Sequence, residues 1–212
     1  MKKLLFFSSL MVLFLVFLVP AILVLGIRYI PNDSQPSLEA TQGVFWKFDI
    51  RQSFVSEETN LTGVGLSIRN LNLKNDKDIV LELYDKDNSL LRTSTFTGKN
   101  IEDGGFVKFL FAEIADSQNK DFYFVLTAPD ARAEFALQPF YTSEKPSWAR
   151  ELQFAGEKVD GSLSFVTFHH PQSKLGLIKE IYRGWFERFY ADKPFFFFYG
   201  GLILILGVLL FI

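Results

Sequence analysis

Residues 106–127, FVKFLFAEIADSQNKDFYFVLT, carry the clearest structural signal of this chain, because two alternating apolar patterns flank a polar turn. The alternating positions are Val107, Phe109, Phe111, Phe122, Phe124 and Leu126. Alternation with a period of two is typical of β-strands that bury one face. The short polar residues at positions 116–119 favour a turn, since their side chains bond to the local backbone. The pattern predicts a β-hairpin, which needs a second sheet against its apolar face to be stable in water.

The rest of the segment between residues 43 and 170 supplies strands for that second sheet. Short runs of alternating apolar residues recur here, separated by turn signals, and no amphipathic helix lies among them. These runs cover residues 44–50, 52–55, 64–68, 79–84, 90–96, 134–138 and 163–167. Such a pattern is typical of antiparallel sandwiches and excludes doubly wound folds and helical repeats. We therefore expect a mainly β protein, an antiparallel β-sandwich of the jelly-roll type, with Trp46 in its core.

Composition excludes several classes of protein. The chain has 212 residues, a formal net charge of −2 and 49% hydrophobic residues, so it is too apolar for a disordered protein and too neutral for a nucleic-acid-binding one. It contains no cysteine, which excludes disulfides, thiolate metal sites and thiol nucleophiles. Much of the apolar excess lies at the two ends, and the segment between them is about the size of one domain.

The N-terminal run over residues 4–27 is apolar and follows Lys2 and Lys3. As a helix it would reach about 36 Å, enough to cross a hydrocarbon core about 30 Å thick. We expect an uncleaved transmembrane helix. A cleavable signal peptide is the alternative, although such peptides have a shorter apolar region and a small-residue cleavage site. The lysines favour a cytoplasmic N-terminus, which places the following domain outside the cytoplasm. Residues 28–42 are polar and contain two prolines, so we expect a linker there.

The C-terminal part of the chain changes to helical periodicity. Residues 174–191 place apolar side chains, including a tryptophan, on one side and charged ones on the other, which is typical of a helix in the membrane interface. A helix packed on the sandwich is the alternative. Residues 194–212 are uncharged, so we expect a second transmembrane helix and a two-pass protein of the cell membrane. The expected membrane-interface residues are Ile178, Ile181, Tyr182, Trp185 and Phe189.

A resemblance to a known family rests on several short runs. They are QSF at residues 52–54, NLTGVGLSI at 60–68, LLRTST at 90–95, and the spacing F-x-F-x-x-I-x-D-S-x-x-K-x-F at 109–122. Over about residues 43–168, the chain resembles galactose-binding-like, carbohydrate-binding-module-like jelly-roll domains of bacterial envelope proteins and glycan enzymes. The resemblance implies a non-catalytic sandwich, which in relatives often binds carbohydrate. It includes no functional motif, and a fold alone does not decide function.

Few residues are candidates for metal binding. His169 and His170 are the only histidines, and neighbours on a strand point to opposite faces, so one metal ion could hardly take both. We expect them at a strand end or in a loop. Asp85, Asp87 and Asn88 offer oxygen ligands for Ca²⁺, but a plain hairpin turn explains the same residues. We expect the turn, and therefore no metal and no cofactor.

Acid–base catalysis and sugar stacking each need particular side chains. Glu57 and Glu58 are adjacent acids, but sequence neighbours do not show facing carboxylates, so we expect a solvated loop and no enzyme activity. Tyr141 and Trp148 lie in FYTSEKPSWARE, a polar segment in which an exposed ring could stack on a sugar. Burial at the rim of the sandwich is the alternative. Tyr141 and Trp148 are the candidate ligand-binding residues.

Two functions of different classes fit these expectations. The first is a membrane-anchored, non-catalytic module that binds a glycan or a lipid-linked sugar at the membrane surface. The second is a structural or accessory subunit that associates with a polytopic envelope-biogenesis membrane protein. Membrane lipid is a partner in both. An exposed aromatic groove would favour the first function, and an exposed apolar patch continuous with Trp185 would favour the second.

Overall fold

The computed structural model describes residues 2–211. In the terminal helices, the side chains of residues 2–6, 8–9, 13, 15–17, 20, 203, 206–207 and 209–211 lie outside the described part. The chain divides into two units, one comprising residues 29–170 and one formed by the segments before and after it. The first unit is a β-sandwich, and the second is helical.

The sandwich consists of two sheets in which every described strand pairing is antiparallel. Its strands are β1 (Ile30–Ser34), β2 (Ala40–Thr41), β3 (Ile50–Ser56), β4 (Leu61–Arg69), β5 (Asp78–Asp85), β6 (Leu90–Thr97), β7 (Gly105–Ile114), β8 (Lys120–Thr127), β9 (Gln138–Thr142), β10 (Ala149–Phe154), β11 (Glu157–Val159), β12 (Ser162–Leu163) and β13 (Phe165–His169). One sheet has the order β1-β13-β4-β9-β12, with β2 on β9 and β7 on β4, and the other has the order β11-β10-β3-β8-β5-β6. The mainly β class and the sandwich arrangement are thus confirmed.

The segment over residues 106–127 is not a hairpin. β7 pairs with β4 in one sheet, whereas β8 lies between β3 and β5 in the other. The hairpin prediction was therefore wrong, because the connection after β7 crosses between the sheets. Ser117 anchors this crossing, since its buried hydroxyl donates to the Glu58 carbonyl at 2.8 Å and accepts from the Leu61 N–H at 3.1 Å. Alternation identifies a half-buried strand, but it does not identify the strand's neighbour.

The buried faces of β7 and β8 are nevertheless the predicted ones. Phe109 and Phe124 are fully buried, whereas Lys108 is exposed. At the centre of the core, the ring of Phe165 on β13 lies 5.4 Å from that of Phe124 and 5.8 Å from that of Phe54. These rings come from both sheets. Their burial removes large apolar areas from water, which is the main favourable term in folding.

Two segments predicted as strands are wholly or partly loops. Val44 forms only an isolated bridge, and the chain then turns at Trp46, whose φ is +43°. The prediction that Trp46 lies in the core was wrong, because this turn leaves its side chain 66% exposed. The turn is held by the Trp46 N–H, which donates to the Ala128 carbonyl at 2.8 Å. Likewise Ala133–Phe135 forms a 3-10 turn, so β9 begins later than the alternation indicates.

The segment expected to be a linker takes part in the sandwich. β1 pairs with β13 and β2 with β9, so the sandwich unit begins at Tyr29 instead of residue 43. β1 has no apolar alternation. It is an edge strand that tolerates Pro31, which lacks a backbone N–H, and its buried Asp33 accepts a hydrogen bond from Thr167 of β13 at 3.0 Å. Hydrophobic periodicity does not detect a polar edge strand of this kind.

The helical unit contains α1 (Lys2–Leu25), α2 (Lys174–Ala191) and α3 (Lys193–Phe211). Ser173 caps α2, because its hydroxyl accepts from the Gly176 N–H at 3.2 Å. Asp192 serves two helices: its N–H donates to the Arg188 carbonyl at 2.8 Å, and its carboxylate accepts from the Phe195 N–H at 3.2 Å. Judged on its described residues, none of these helices is long and apolar enough to cross a membrane.

Candidate functional site

The two candidate ligand-binding residues do not form an exposed platform. Trp148 is 8% exposed, and its ring packs edge-on against Phe165 of the core at a centroid distance of 4.8 Å. Tyr141 on β9 is half-buried, and its ring contacts that of Phe154 at 5.2 Å. Such contacts are typical of core packing. Trp148 offers no free ring face to a sugar here, and a role of either residue in binding stays a prediction.

The expected membrane-interface residues lie on α2, and part of their face packs on α3. The Trp185 ring lies 5.8 Å from that of Phe195 and 5.7 Å from that of Tyr199, and Phe189 lies 4.9 Å from Phe196. The other expected interface residues are partly or largely exposed: Ile178, Ile181 and Tyr182. The helix α3 therefore covers some of the apolar face that the sequence predicts for the lipid boundary. Whether the rest contacts lipid stays a prediction.

The candidate calcium ligands build a hairpin turn. A carboxylate oxygen of Asp85 accepts from the N–H groups of Asp87 and Ser89, both at 2.9 Å. The strands on either side, β5 and β6, pair with each other, as expected for a hairpin. In the part of the chain that the structure describes, no three acidic, histidine or cysteine side chains are grouped so that they could hold a metal ion. His169 is buried and His170 exposed.

A cavity of about 350 Å³ lies beside this hairpin turn, between it and the start of β8. Its lining residues are Asp85, Lys86, Asp87, Asn119, Lys120, Asp121 and Phe122. Lys120 is paired with Asp116 at 2.5 Å. Among the described residues, the side chains of Lys86, Asp87, Asn119 and Asp121 have no hydrogen-bond or ion-pair partner. The cavity therefore presents donors and acceptors that the fold does not use.

A row of stacked side chains crosses the outer face of the six-stranded sheet next to this cavity. The rings of Tyr84 and Tyr123, opposite each other on β5 and β8, lie 5.0 Å apart and are tilted by 5°, and the Arg51 guanidinium lies 3.5 Å from the Tyr123 ring centroid. The Tyr123 hydroxyl donates to the Asn88 side chain at 2.8 Å. Burial and the hydrogen bond to the Glu82 carboxylate raise the pKa of Tyr84. Its hydroxyl therefore stays protonated at neutral pH.

Exposed apolar side chains occupy the opposite end of the sandwich. Trp46 and Leu73 are each 66% exposed, and Phe135 is 40% exposed. The backbone φ is +43° at Trp46 and +53° at Leu73, a region that large side chains rarely adopt. Asn75 donates from its side chain to the Phe135 carbonyl, which links two of the loops that carry these residues. We call Trp46, Leu73 and Phe135 the distal patch.

No protein-family model matches this chain, and no curated protein is significantly similar to it. The resemblance to galactose-binding-like domains therefore stays a prediction. Function has to be inferred from the side chains that the fold brings together.

Sequence reasoning missed both the cavity and the stack. One signal was present, because Tyr84 and Tyr123 occupy outward positions next to the buried Leu83 and Phe124. In the structure Tyr84 is half-buried and Tyr123 only 8% exposed, so the two rings mainly pack on each other. The signal does not show that β5 and β8 are neighbours, and Asn119 and Asp121 become cavity residues only through that pairing.

Proposed function

We propose that this chain is a membrane-anchored, non-catalytic jelly-roll module outside the cytoplasm that binds a glycan or a lipid-linked sugar. The ligand site is the cavity between the β5–β6 turn and the start of β8. The observation that carries the proposal is the set of polar side chains that line this cavity without partners, next to the stacked Tyr84 and Tyr123.

The chemistry of the cavity suits a neutral ligand with many hydroxyl groups. Its volume of about 350 Å³ falls in the range of small-molecule sites. Asp87 and Asp121 offer acceptors, while Lys86 and Asn119 offer donors, and a sugar hydroxyl can both donate and accept. Because acidic and basic groups are mixed, the cavity favours neither a strongly anionic nor a strongly cationic ligand. The half-buried Tyr84 is the aromatic side chain beside the cavity that could contact a sugar ring, because Tyr123 is 8% exposed and lies between Tyr84 and Arg51.

The terminal segments support the membrane anchoring. Residues 4–27 and 194–212 contain no charged residue. Large apolar side chains of α1 and α3 are at least 60% exposed within the helical unit, namely Phe7, Met11, Phe14, Leu23, Leu25, Phe197, Phe198 and Leu204. Apolar surfaces of this size are stable in lipid or against another apolar surface, and not in water. The lysines at the N-terminus favour an N-terminus in the cytoplasm and a sandwich outside it.

The ligand site is tested with the full chain in detergent or nanodiscs. Arrays of glycans and lipid-linked sugars identify the ligand, and calorimetry then measures its Kd. Asp87→Ala and Asp121→Ala should each weaken binding about tenfold, because each removes a hydrogen bond worth about 1.4 kcal/mol. Asp130→Ala, an exposed change in a loop at the opposite end, is the matched control and should leave the Kd unchanged. Failure to bind any sugar, or equal affinity in all three variants, would contradict the proposal.

The membrane topology is tested by cysteine labelling, since the chain has no cysteine of its own. The exposed Ser89 and Thr93 are replaced singly by cysteine. A membrane-impermeant maleimide should label both variants in intact cells. Labelling that appears only after lysis would place the sandwich in the cytoplasm.

A second candidate function, an accessory subunit of a polytopic envelope-biogenesis membrane protein, is favoured by the distal patch. Trp46 and Leu73 are large, exposed apolar side chains at positive φ, and backbone strain of this kind is found at functional sites. A photocrosslinking amino acid at Trp46 or Leu73 should then give a discrete adduct with one membrane protein, and the same group at Thr93 should not. Equal crosslinking from all three positions would argue against a specific partner.

A further inference from the structure

Asp33, Thr167 and His169 form a buried chain of hydrogen bonds that the proposed sugar site does not use. They are 5%, 0% and 2% exposed, respectively. The Thr167 hydroxyl oxygen lies 3.0 Å from a carboxylate oxygen of Asp33 and 3.2 Å from Nε2 of His169. On the other side of the imidazole, Nδ1 lies 2.9 Å from the Thr59 carbonyl oxygen. These hydrogen bonds connect the edge strand β1 to β13 and to the loop after β3.

The number of hydrogen atoms available for these hydrogen bonds depends on the protonation of His169. The Thr59 carbonyl can only accept, so Nδ1 carries a hydrogen, and in a neutral imidazole Nε2 is then an acceptor. The single hydroxyl hydrogen of Thr167 faces two acceptors, Nε2 and the Asp33 carboxylate, and one of these bonds is left unmade. When His169 takes up a proton, Nε2–H donates to Thr167 and the Thr167 hydroxyl donates to Asp33. Every bond in the chain is then made.

Burial opposes this proton uptake. An imidazolium loses hydration at a nearly closed site, and this lowers the pKa of His169. The hydrogen bond to Thr59 and the carboxylates of Asp33 and Glu58 act in the opposite direction without outweighing burial. His169 is therefore neutral at neutral pH, and it takes up its proton below the usual histidine range of about 6.5.

We propose that the Asp33–Thr167–His169 chain is an acid-responsive clamp between β1 and β13. At neutral pH, the neutral His169 leaves the Thr167 hydroxyl shared between two acceptors. Acidification places a positive charge in the buried site, with Asp33, reached through Thr167, as its counter-charge. Detachment of the edge strand β1 would return water to His169, which is 2% exposed when β1 is attached, and would make its protonation easier. Acid therefore shifts the equilibrium towards the detached β1, although the protonated chain makes every hydrogen bond. Ile30 of β1 pairs with His169, so the clamp acts where the sandwich begins and ends.

The other charged groups around the clamp are few. The N–H of Glu57 contacts the Asp33 carboxylate at 3.4 Å, and burial together with Asp33 raises the pKa of the Glu57 carboxyl. Protonation of Glu57 removes its repulsion from Asp33 and therefore opposes the effect of His169 in acid. His170 is exposed, and its Nδ1 lies 3.7 Å from the Glu113 carboxylate. His169 is thus the buried base among these groups.

The test is NMR of the full chain in detergent micelles with isotope-labelled histidine. Only two imidazole signals exist, and His170→Asn assigns them. We expect the neutral form of His169 to carry its hydrogen on Nδ1, and its pKa to lie below that of a histidine peptide. Thr167→Val removes the hydroxyl at constant shape and should lower the pKa of His169 further, because the link to Asp33 is lost. Thr167→Ser keeps the hydroxyl and should preserve the wild-type pKa.

Three results would overturn the clamp. The first is a neutral His169 with its hydrogen on Nε2, which needs no variant and is read from the wild-type chain. The second is a His169 pKa that is the same in Thr167→Val and wild type; if that variant does not fold, Asp33→Asn provides the same comparison. The third is unchanged protection of the β1 amides from hydrogen exchange between about pH 7 and pH 5, after correction for intrinsic rates, since we expect protection to fall.

Discussion

Arg92 of β6 donates from Nε to the backbone carbonyl of Ala112 on β7 at 2.6 Å. A second guanidinium nitrogen donates to the Glu113 carbonyl at 3.0 Å, and the Ser94 hydroxyl donates to the Leu110 carbonyl at 3.0 Å. β6 is the last strand of its sheet, and β7 is paired only with β4. These side chains therefore cover two strand edges that would otherwise offer unpaired carbonyls to another chain.

Arg92→Ala should destabilise the sandwich and increase its self-association. The loss of several hydrogen bonds from a charged group predicts a decrease of about 1–3 kcal/mol in the free energy of unfolding. Chemical denaturation and light scattering measure the two effects. Arg150→Ala is the control, because Arg150 is exposed and bonds only to the nearby Ser147 carbonyl. If Arg92→Ala behaved like Arg150→Ala, the edge contacts would have no role in stability.

Phe109→Ala and Phe124→Ala should each lower the free energy of unfolding by about 3–5 kcal/mol, because each empties a fully buried aromatic site. Lys108→Ala should cost less than about 1 kcal/mol, since Lys108 is exposed and its ammonium lies over the rings of Tyr29 and Phe168. Urea unfolding of the three variants measures the difference. A Lys108 variant as unstable as the Phe109 variant would show that the inward face of β7 is assigned wrongly.

Gly65→Ala should destabilise the sandwich by about 1–3 kcal/mol through overpacking. A Cβ at Gly65 would clash with the Phe106 ring and lie 2.8 Å from Cε2 of Phe168. Phe106→Ala should relieve the part of this clash that involves the Phe106 ring, whereas the contact with the buried Phe168 ring would remain. A double-mutant cycle measures the coupling. Strict additivity of the two changes would show that Phe106 does not cover Gly65.

The free energy of unfolding should fall as the pH is lowered below about 6.5, the pKa of histidine in the unfolded chain. Burial lowers the pKa of His169 in the folded state, so the unfolded state binds more protons in this range, and stability rises with pH. Glu57, with its raised pKa, contributes in the opposite direction. Chemical unfolding at a series of pH values measures the slope. His169→Gln should flatten it and Glu57→Gln should steepen it, whereas an unchanged slope in His169→Gln would remove His169 from the acid response.

Apolar alternation predicted which residues of most strands are buried, because alternation is a local property of the backbone. The sequence identified Phe109, Phe124 and many other inward residues of the sandwich, although not the exposed Trp46 and Phe135, and it separated the sandwich from a helical C-terminal part. It also contained the hairpin of β5 and β6, whose short turn brings strand neighbours together within one stretch of chain. Each of these features depends on residues close together in sequence.

Which strands are neighbours depends on contacts between distant segments of the chain. β7 and β8 share one alternating stretch but lie in different sheets, and the polar β1 joins the sandwich through Asp33 and Thr167, which are far apart in sequence. Other long-range contacts have similar effects. The hydrogen bond from the Trp46 N–H to the Ala128 carbonyl holds the turn that exposes Trp46, and the pairing of β5 with β8 places Tyr84 beside Tyr123. Strand pairing and loop geometry are selected by the packing of the whole core, so the cavity and the clamp exist only after distant segments have met.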